Sequence, residues 1–302
     1  MADRMKLGLI GVGLMGHGLA ASLVRAGFPL TFLDHVGNQP VADLVAAGAM
    51  PASTPKAVAE ASDAVLLCVS GSPQVADALH REDGVLSGLN AGSHVIDFST
   101  SMPDETLKEA EAVSARGGRF IDAPMTRTPR EAEEGRLNLI VGGDPADIET
   151  AMPILRAVGE NIFLTGPVGT GHRVKLLHNF LALGNSALLA EAFACATKGG
   201  VNLRTFCEVV RTGGANSTVF DRLRPHILEG DDSGFRFSVA NAVKDVGYYL
   251  AMAEAAGAVV SCAGAISRFY DGAARNWTGA GEPGVPQVFD MMGATEATKP
   301  RT

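Results

Sequence analysis

The sequence predicts an α/β N-terminal domain on a doubly wound, mostly parallel sheet, followed by an all-α C-terminal domain. Three observations carry this. Up to about residue 165, short apolar runs alternate with amphipathic stretches, the pattern of successive βαβ units. Beyond Gly166 the strand-like runs stop and helical periodicity takes over. Between the first apolar run and the first amphipathic one lies Gly11-Val12-Gly13-Leu14-Met15-Gly16, a Gly-x-Gly-x-x-Gly spacing at a strand-to-helix junction. The expected domains are 1–165 and 166–302. A chain of 302 residues, 46% of them apolar, can bury a core in each.

The expected strands are Leu7–Ile10, Leu30–Leu33, Ala64–Val69, Val95–Phe98, Phe120–Asp122, Asn138–Val141 and Ile162–Leu164. Helical patterns fall at Met15–Arg25, Lys56–Ala61, Gln74–Leu79, Asp104–Arg116 and Ala146–Ala157. Thr54-Pro55 reads as a helix start, with a hydroxyl cap followed by proline in the first turn. From Val174 onward the pattern is mostly helix, with breaks near Gly199–Gly200, Gly213–Gly214, Gly230–Gly234 and Asn276–Pro286. The longest apolar stretch, Leu176–Ala196, is interrupted by His178, Asn179, Asn185 and Glu191. Those residues are costly in lipid, so a buried helix is expected and a membrane span is not. Leu7–Ile10 is too short for the apolar core of a signal peptide.

A formal net charge of −8 speaks against a nucleic-acid partner. Cys68, Cys195, Cys207 and Cys262 are scattered without a Cys-x-x-Cys pair. Small buried thiols in a reducing, cytoplasmic setting are expected, and no metal site.

The glycine run gives the N-terminal domain a Rossmann character. Gly11 permits a tight turn, Gly13 lets the backbone approach a pyrophosphate, and Gly16 lets the helix pack close to the sheet. The helix start, with Val12, Leu14 and Met15, offers backbone N–H groups to phosphate. The second strand ends in Asp34, 18 residues after Gly16, where a ribose-binding carboxylate is expected. His35, Val36, Gly37 and Asn38 follow without a Lys or Arg, so NAD is favoured over NADP. Val69-Ser70 and Ser99-Thr100 end two further strands on the same side, either as turn chemistry or as cofactor contacts.

Taken together, these residues resemble the fingerprint of the β-hydroxyacid dehydrogenases, the family of 3-hydroxyisobutyrate dehydrogenase and tartronate semialdehyde reductase, related to 6-phosphogluconate dehydrogenase. Three further blocks agree in order and spacing: Phe120-Ile121-Asp122-Ala123-Pro124, Gly166-Pro167-Val168-Gly169-Thr170-Gly171 leading to Lys175 and Asn179, and Lys244-Asp245. The resemblance covers nearly the whole chain and weakens after about residue 275. It implies a long inter-domain helix, an acid/base lysine at Lys175, a substrate-orienting asparagine at Asn179 and a cofactor-side lysine at Lys244. Lys175 and Asn179 are four residues apart, which puts both on one helix face.

The chain departs from the family pattern twice. His178 stands where the family often has asparagine. The substrate loop reads Met125-Thr126-Arg127-Thr128 after Pro124, with Arg127-Thr128 replacing two glycines. Thr126 keeps a hydroxyl for an acid oxygen, and Arg127 adds a cation, as in sulfolactaldehyde reductases. His172 reads as a rim residue with no metal partner. The expected activity is NAD-dependent interconversion of a small β-hydroxy acid and its semialdehyde, with Lys175 moving the proton and Thr126, Arg127, His178 and Asn179 around the substrate. The alternatives are a 3-sulfolactaldehyde reductase and a non-catalytic NAD-binding regulator. An imine reductase is disfavoured by Lys175. The apolar Leu176–Ala196 helix leads us to expect a homodimer or homotetramer.

Overall fold

The structure, a computed structural model, describes residues 4–296. It divides into two compact units, one ending at Lys175 and the other beginning at Leu176.

The first unit is built on one sheet. Its strands are β1 (Leu7–Ile10), β2 (Leu30–Leu33), β3 (Met50–Ala52), β4 (Ala64–Leu67), β5 (His94–Asp97), β6 (Arg119–Asp122), β7 (Met125–Thr126), β8 (Leu137–Gly142) and β9 (Gly159–Gly166). The order is β3-β2-β1-β4-β5-β6-β8-β7, with β9 also paired to β8. From β3 to β6 every pairing is parallel; β8 meets β6 and β7 antiparallel and β9 parallel. The strand order reverses at β1, so the crevice beyond the carboxyl ends of β1 and β4 is the switch point where such sheets take ligands.

Side chains alternate between two cores, as a sheet covered on both faces requires. Leu9, Leu66, Ile96 and Ile121 face one core, and Ile10, Val65, Leu67 and Val95 face the other. The helices of this unit are α1 (Leu14–Arg25), α2 (Ala42–Ala46), α3 (Pro55–Glu60), α4 (Ser72–His80), α5 (Val85–Gly88), α6 (Pro103–Ala115), α7 (Pro129–Glu134) and α8 (Pro145–Val158). Thr54 caps α3 as expected, its hydroxyl accepting from Ala57 N–H at 3.1 Å ahead of Pro55. Gly18 of α1 lies flat on α7, where a Cβ would come within 2.7 Å of Ala132 and of the Glu133 amide nitrogen.

Helix α9 (Thr170–Lys198) starts in the first unit and runs into the second, which continues with α10 (Leu203–Thr212), α11 (Thr218–Glu229), α12 (Val239–Ala255), α13 (Ser261–Asn276) and α14 (Val285–Met292). By length and composition α9 could cross a membrane. Within the second unit, however, it supplies core. Leu189 and Phe193 pack with Leu203 and Phe220, while Leu183 and Ala187 pack with Ala242, Val246 and Tyr270. The Tyr270 hydroxyl donates to the Leu183 carbonyl at 2.9 Å.

Strands β3 and β7 and helices α2, α5 and α7 were not anticipated from sequence, nor was the break between α12 and α13. All five elements are six residues or shorter, too short for a periodicity to declare itself. The unit boundary lies inside α9 rather than at the change of pattern near residue 165, because Gly169, Gly171 and His172 pack on Asp122.

Candidate active site

The cofactor end of the first unit is shaped by its glycines. Gly11 has φ +97°, and a Cβ there would lie 2.2 Å from the Cys68 carbonyl oxygen. Gly16, expected to bring the helix close to the sheet, instead clears the Gly11 carbonyl of the loop itself, 1.8 Å from where its Cβ would stand. At Gly13 a Cβ would meet nothing within 4 Å, and α1 begins there with no side-chain cap. An open helix start with uncommitted amide donors fits a pyrophosphate. Val12 contributes its backbone only, since its side chain is buried in the core; Met15 is partly buried and Leu14 is exposed. Asp34 is exposed at the end of β2, with its N–H held by the Ala52 carbonyl at 2.8 Å. These residues fit a nicotinamide dinucleotide, with Asp34 placed for a ribose.

Of the two further strand ends, Ser99 is a joint within the protein. Its hydroxyl accepts the Val69 N–H at 3.0 Å, and its own N–H donates to Asp97 Oδ1 at 2.8 Å. Ser70 is exposed and Thr100 half-buried at the same rim.

Lys175 is 8% exposed, and its ammonium donates to the Met125 carbonyl at 2.7 Å. The helix thus places a cation against the backbone of the residue preceding Thr126. The Thr126 hydroxyl accepts from Asn138 Nδ2 at 3.1 Å, and Asn138 Oδ1 accepts from Asn161 Nδ2 at 2.9 Å. Arg127 is the one described non-glycine residue with positive φ, at +86°. This left-handed backbone costs an arginine about 1–2 kcal/mol and costs a glycine little, which explains why glycine suits the position. The Arg127 guanidinium pairs with Glu160 and donates to the Arg136 carbonyl. A substrate anion would have to compete with those partners.

In the second unit, Asn179 is 5% exposed. Its Nδ2 donates to Asp245 Oδ2 at 2.6 Å, and its Oδ1 lies 3.0 Å from His178 Nδ1. Asp245 fixes the amide orientation, so the carbonyl side falls to His178, which must donate. Lys244 pairs with Asp245 Oδ1 at 2.9 Å and lies 5.3 Å from the centre of the Tyr248 ring.

Sequence reasoning missed the group beneath this surface. Asp122 is fully buried; its Oδ1 accepts the Gly169 N–H at 2.7 Å and its Oδ2 the His172 N–H at 2.8 Å. Burial raises the Asp122 carboxyl above its usual range, opposed by His172 and the two amides and reinforced by Asp97. His172, expected at the rim, is 0% exposed. Its ring lies between Thr106 Oγ1, 2.7 Å from Nδ1, and the Ser99 carbonyl, 3.2 Å from Nε2. The available sequence signal was Asp122 inside a recognised block; nothing local announced Asp97 or Thr106. Among the described residues no His, Cys, Asp and Glu cluster suited to a metal ion occurs.

Comparison with known proteins agrees with this geometry. Residues 6–166 match the family model described as the NAD binding domain of 6-phosphogluconate dehydrogenase. Residues 169–282 match the NAD-binding family of NADP-dependent 3-hydroxyisobutyrate dehydrogenase. The chain is 36% identical over 219 residues to 2-hydroxy-3-oxopropionate reductase of Escherichia coli, covering 72% of this chain and 74% of that one. It is 32% identical over 247 residues to 3-sulfolactaldehyde reductase of Escherichia coli, covering 82% and 83%. The crystal structure of 3-hydroxyisobutyrate dehydrogenase from Salmonella typhimurium superposes with a TM-score of 0.84 at 28% identity, covering 95% of this chain and 100% of that one.

Proposed function

The chain belongs to the β-hydroxyacid dehydrogenase family, and from that premise we propose that it interconverts a small β-hydroxy acid and its semialdehyde, with Lys175 as the acid/base group. The nicotinamide, when bound, gives or takes the hydride. The observation that carries this reading is the buried Lys175 ammonium, aimed at the Met125 carbonyl one residue before Thr126. A lysine so held keeps two further N–H bonds to direct at a substrate oxygen. In reduction it donates a proton as the oxygen gains charge; in oxidation it takes the hydroxyl proton. Asn179, oriented by Asp245, has a second amide hydrogen for the same oxygen or for the acid group. The Thr126 hydroxyl, positioned by Asn138, is a donor for the acid.

We assign the cofactor as NAD, because the Asp34 carboxylate would face a 2′-phosphate with like charge, which costs several kcal/mol. A second reading of the substrate is a sulfonated semialdehyde. It is favoured by the Arg127-Thr128 pair and by the 32% identity to a 3-sulfolactaldehyde reductase; Arg127 would exchange Glu160 for the sulfonate. Leu181 and Leu188, 71% and 67% exposed on α9, favour self-association, which light scattering reads directly. Purified protein, assayed with NAD and NADP against three- and four-carbon hydroxy acids and their sulfonates, tests the whole reading. It expects NAD-linked turnover of at least one such acid. Turnover of none, or faster turnover with NADP, would contradict it.

A further inference from the structure

Beneath Lys175 lies a set of buried polar groups that the proton transfer does not use. Asp97 ends β5 and Asp122 ends β6, as register partners across the sheet. Both are buried, 1% and 0% exposed. Two adjacent carboxylates disfavour one another unless a cation lies between them. His172 fills that place, its Nε2 3.7 Å from Asp97 Oδ2 and its Nδ1 3.9 Å from Asp122 Oδ2.

The ring's partners indicate its hydrogens. The Ser99 carbonyl facing Nε2 can only accept, so Nε2 carries hydrogen. The Thr106 hydroxyl facing Nδ1 has a single proton, and it donates to the Met102 carbonyl at 3.0 Å. The hydroxyl therefore accepts from Nδ1, which carries hydrogen as well. Both contacts are satisfied together only by an imidazolium. The remaining polar neighbours agree: Asp97 accepts from Ser99 N–H and from the Ser101 hydroxyl. The Cys68 thiol, pushed up to about 12 by burial and by Asp97, stays neutral.

Asp122 holds two things at once. Its carboxylate binds the first turn of α9 through Gly169 and His172, and Lys175 follows His172 by three residues, about one helical turn. Its own chain leads, again in three residues, to Met125, whose carbonyl receives the Lys175 ammonium. The fit is tight: a Cβ on Gly142 would lie 2.7 Å from Asp122 Oδ1, and one on Gly171 2.8 Å from Oδ2.

We propose that Asp122, backed by a doubly protonated His172 and by Asp97, is a positioning group that ties the helix carrying Lys175 to the strand end carrying its acceptor, and so sets where the ammonium points. The proposal rests on Lys175 being the acid/base group. A misplacement of 1 Å at a reacting group can cost on the order of 100-fold in rate, so the anchor acts on kcat more than on binding.

The test uses Asp122→Asn and Thr106→Val in the full chain. Asparagine keeps one acceptor but turns an NH2 toward the other amide. Valine removes the acceptor for His172 Nδ1 and leaves both carboxylates in place, which keeps the test open should Asp122→Asn fail to fold. The expected result is a fall in kcat of roughly 10- to 100-fold for Asp122→Asn and a smaller fall for Thr106→Val. KM for the cofactor should stay within about twofold, as expected when an interaction specific to the transition state is lost. Amide exchange at Gly169 and His172 should quicken in Asp122→Asn, and long-range ¹H–¹⁵N spectra of the wild type should show N–H at both ring nitrogens of His172. Wild-type kcat in folded variants would overturn the positioning role, and a single ring N–H would overturn the imidazolium. If Lys175→Ala turned over normally, the acid/base reading would fall, and with it the link from anchor to rate. The exchange and ring spectra would still report the anchor itself.

Discussion

Strands β5 and β6 end in opposite chemistry at the two rims of the sheet. At their carboxyl ends Asp97 and Asp122 are buried with hydrogen-bond donors around each of them: backbone amides, a serine hydroxyl and the His172 ring. At their amino ends the register partners are His94 and Arg119. His94 is 6% exposed, yet neither ring nitrogen has a hydrogen-bond partner, and Asp147 stays 3.9 Å away. Burial lowers its pKa from the model value of 6.5; Asp147 opposes that and Arg119 adds to it. A buried charge is tolerated where backbone and side chains converge on it, and that convergence is what places a reactive group. Where convergence is lacking, the same burial keeps the side chain neutral and costs stability.

The two rims therefore respond to pH in opposite senses. Asp122, raised above 3.8, supports the fold fully in acid, and that support is lost as pH rises through its folded value. His94, lowered below 6.5, binds its proton more readily when unfolded, so stability is lost as pH falls from 6.5 toward its folded value.

The largest effect that would break this comparison is expected from Asp97→Ala. It leaves His172 with half its counter-charge and strips the acceptor from Ser99 and Ser101, a loss of about 3–5 kcal/mol by urea denaturation. A loss below about 1 kcal/mol would place the cluster with ordinary surface pairs. Next is His94→Leu, which removes an unpartnered buried imidazole. It should stabilise the chain by about 1–3 kcal/mol and flatten the decline in melting temperature below pH 6.5; an unchanged acid slope would show that His94 is not its source. The smallest is Arg127→Gly. Relief of a left-handed backbone, about 1–2 kcal/mol, nearly offsets a part-exposed ion pair to Glu160, about 0–1 kcal/mol. Stability should shift by no more than about 1 kcal/mol, while kcat/KM for an anionic substrate falls and that for a neutral aldehyde does not. Equal changes for both substrates would remove Arg127 from substrate binding.

Much of this was legible in the chain, unevenly. Gly11, Gly13 and Gly16 announced the cofactor loop because steric need is local: a tight turn shows in three residues. Leu7–Ile10, Leu30–Leu33 and Ala64–Leu67 were readable because strands buried on both faces are continuously apolar. Helix α7 was missed because Pro129–Glu134 carries no apolar stripe, although Thr128 and Glu131 hold a start signal, the Glu131 carboxylate accepting the Thr128 N–H at 3.0 Å. Strand β3 contains Pro51 and has three residues, too few for alternation. The His172 cluster was illegible for a different reason. Asp97, Thr106, Asp122 and His172 are spread over 76 positions of sequence, and only the crossing of β5, β6, α6 and α9 joins them. Arg127 read as a substrate cation because Glu160 is 33 residues away.

The most direct test of the central claim is the turnover of Lys175→Ala beside its affinity for NADH, followed by fluorescence. Lys175 touches the Met125 carbonyl and lies away from the glycine loop in sequence, so cofactor affinity should be retained. Turnover should fall by about 10²–10⁴-fold, the usual share of an acid/base group. A variant that binds NADH normally and keeps more than about half the wild-type rate would contradict the assignment of Lys175.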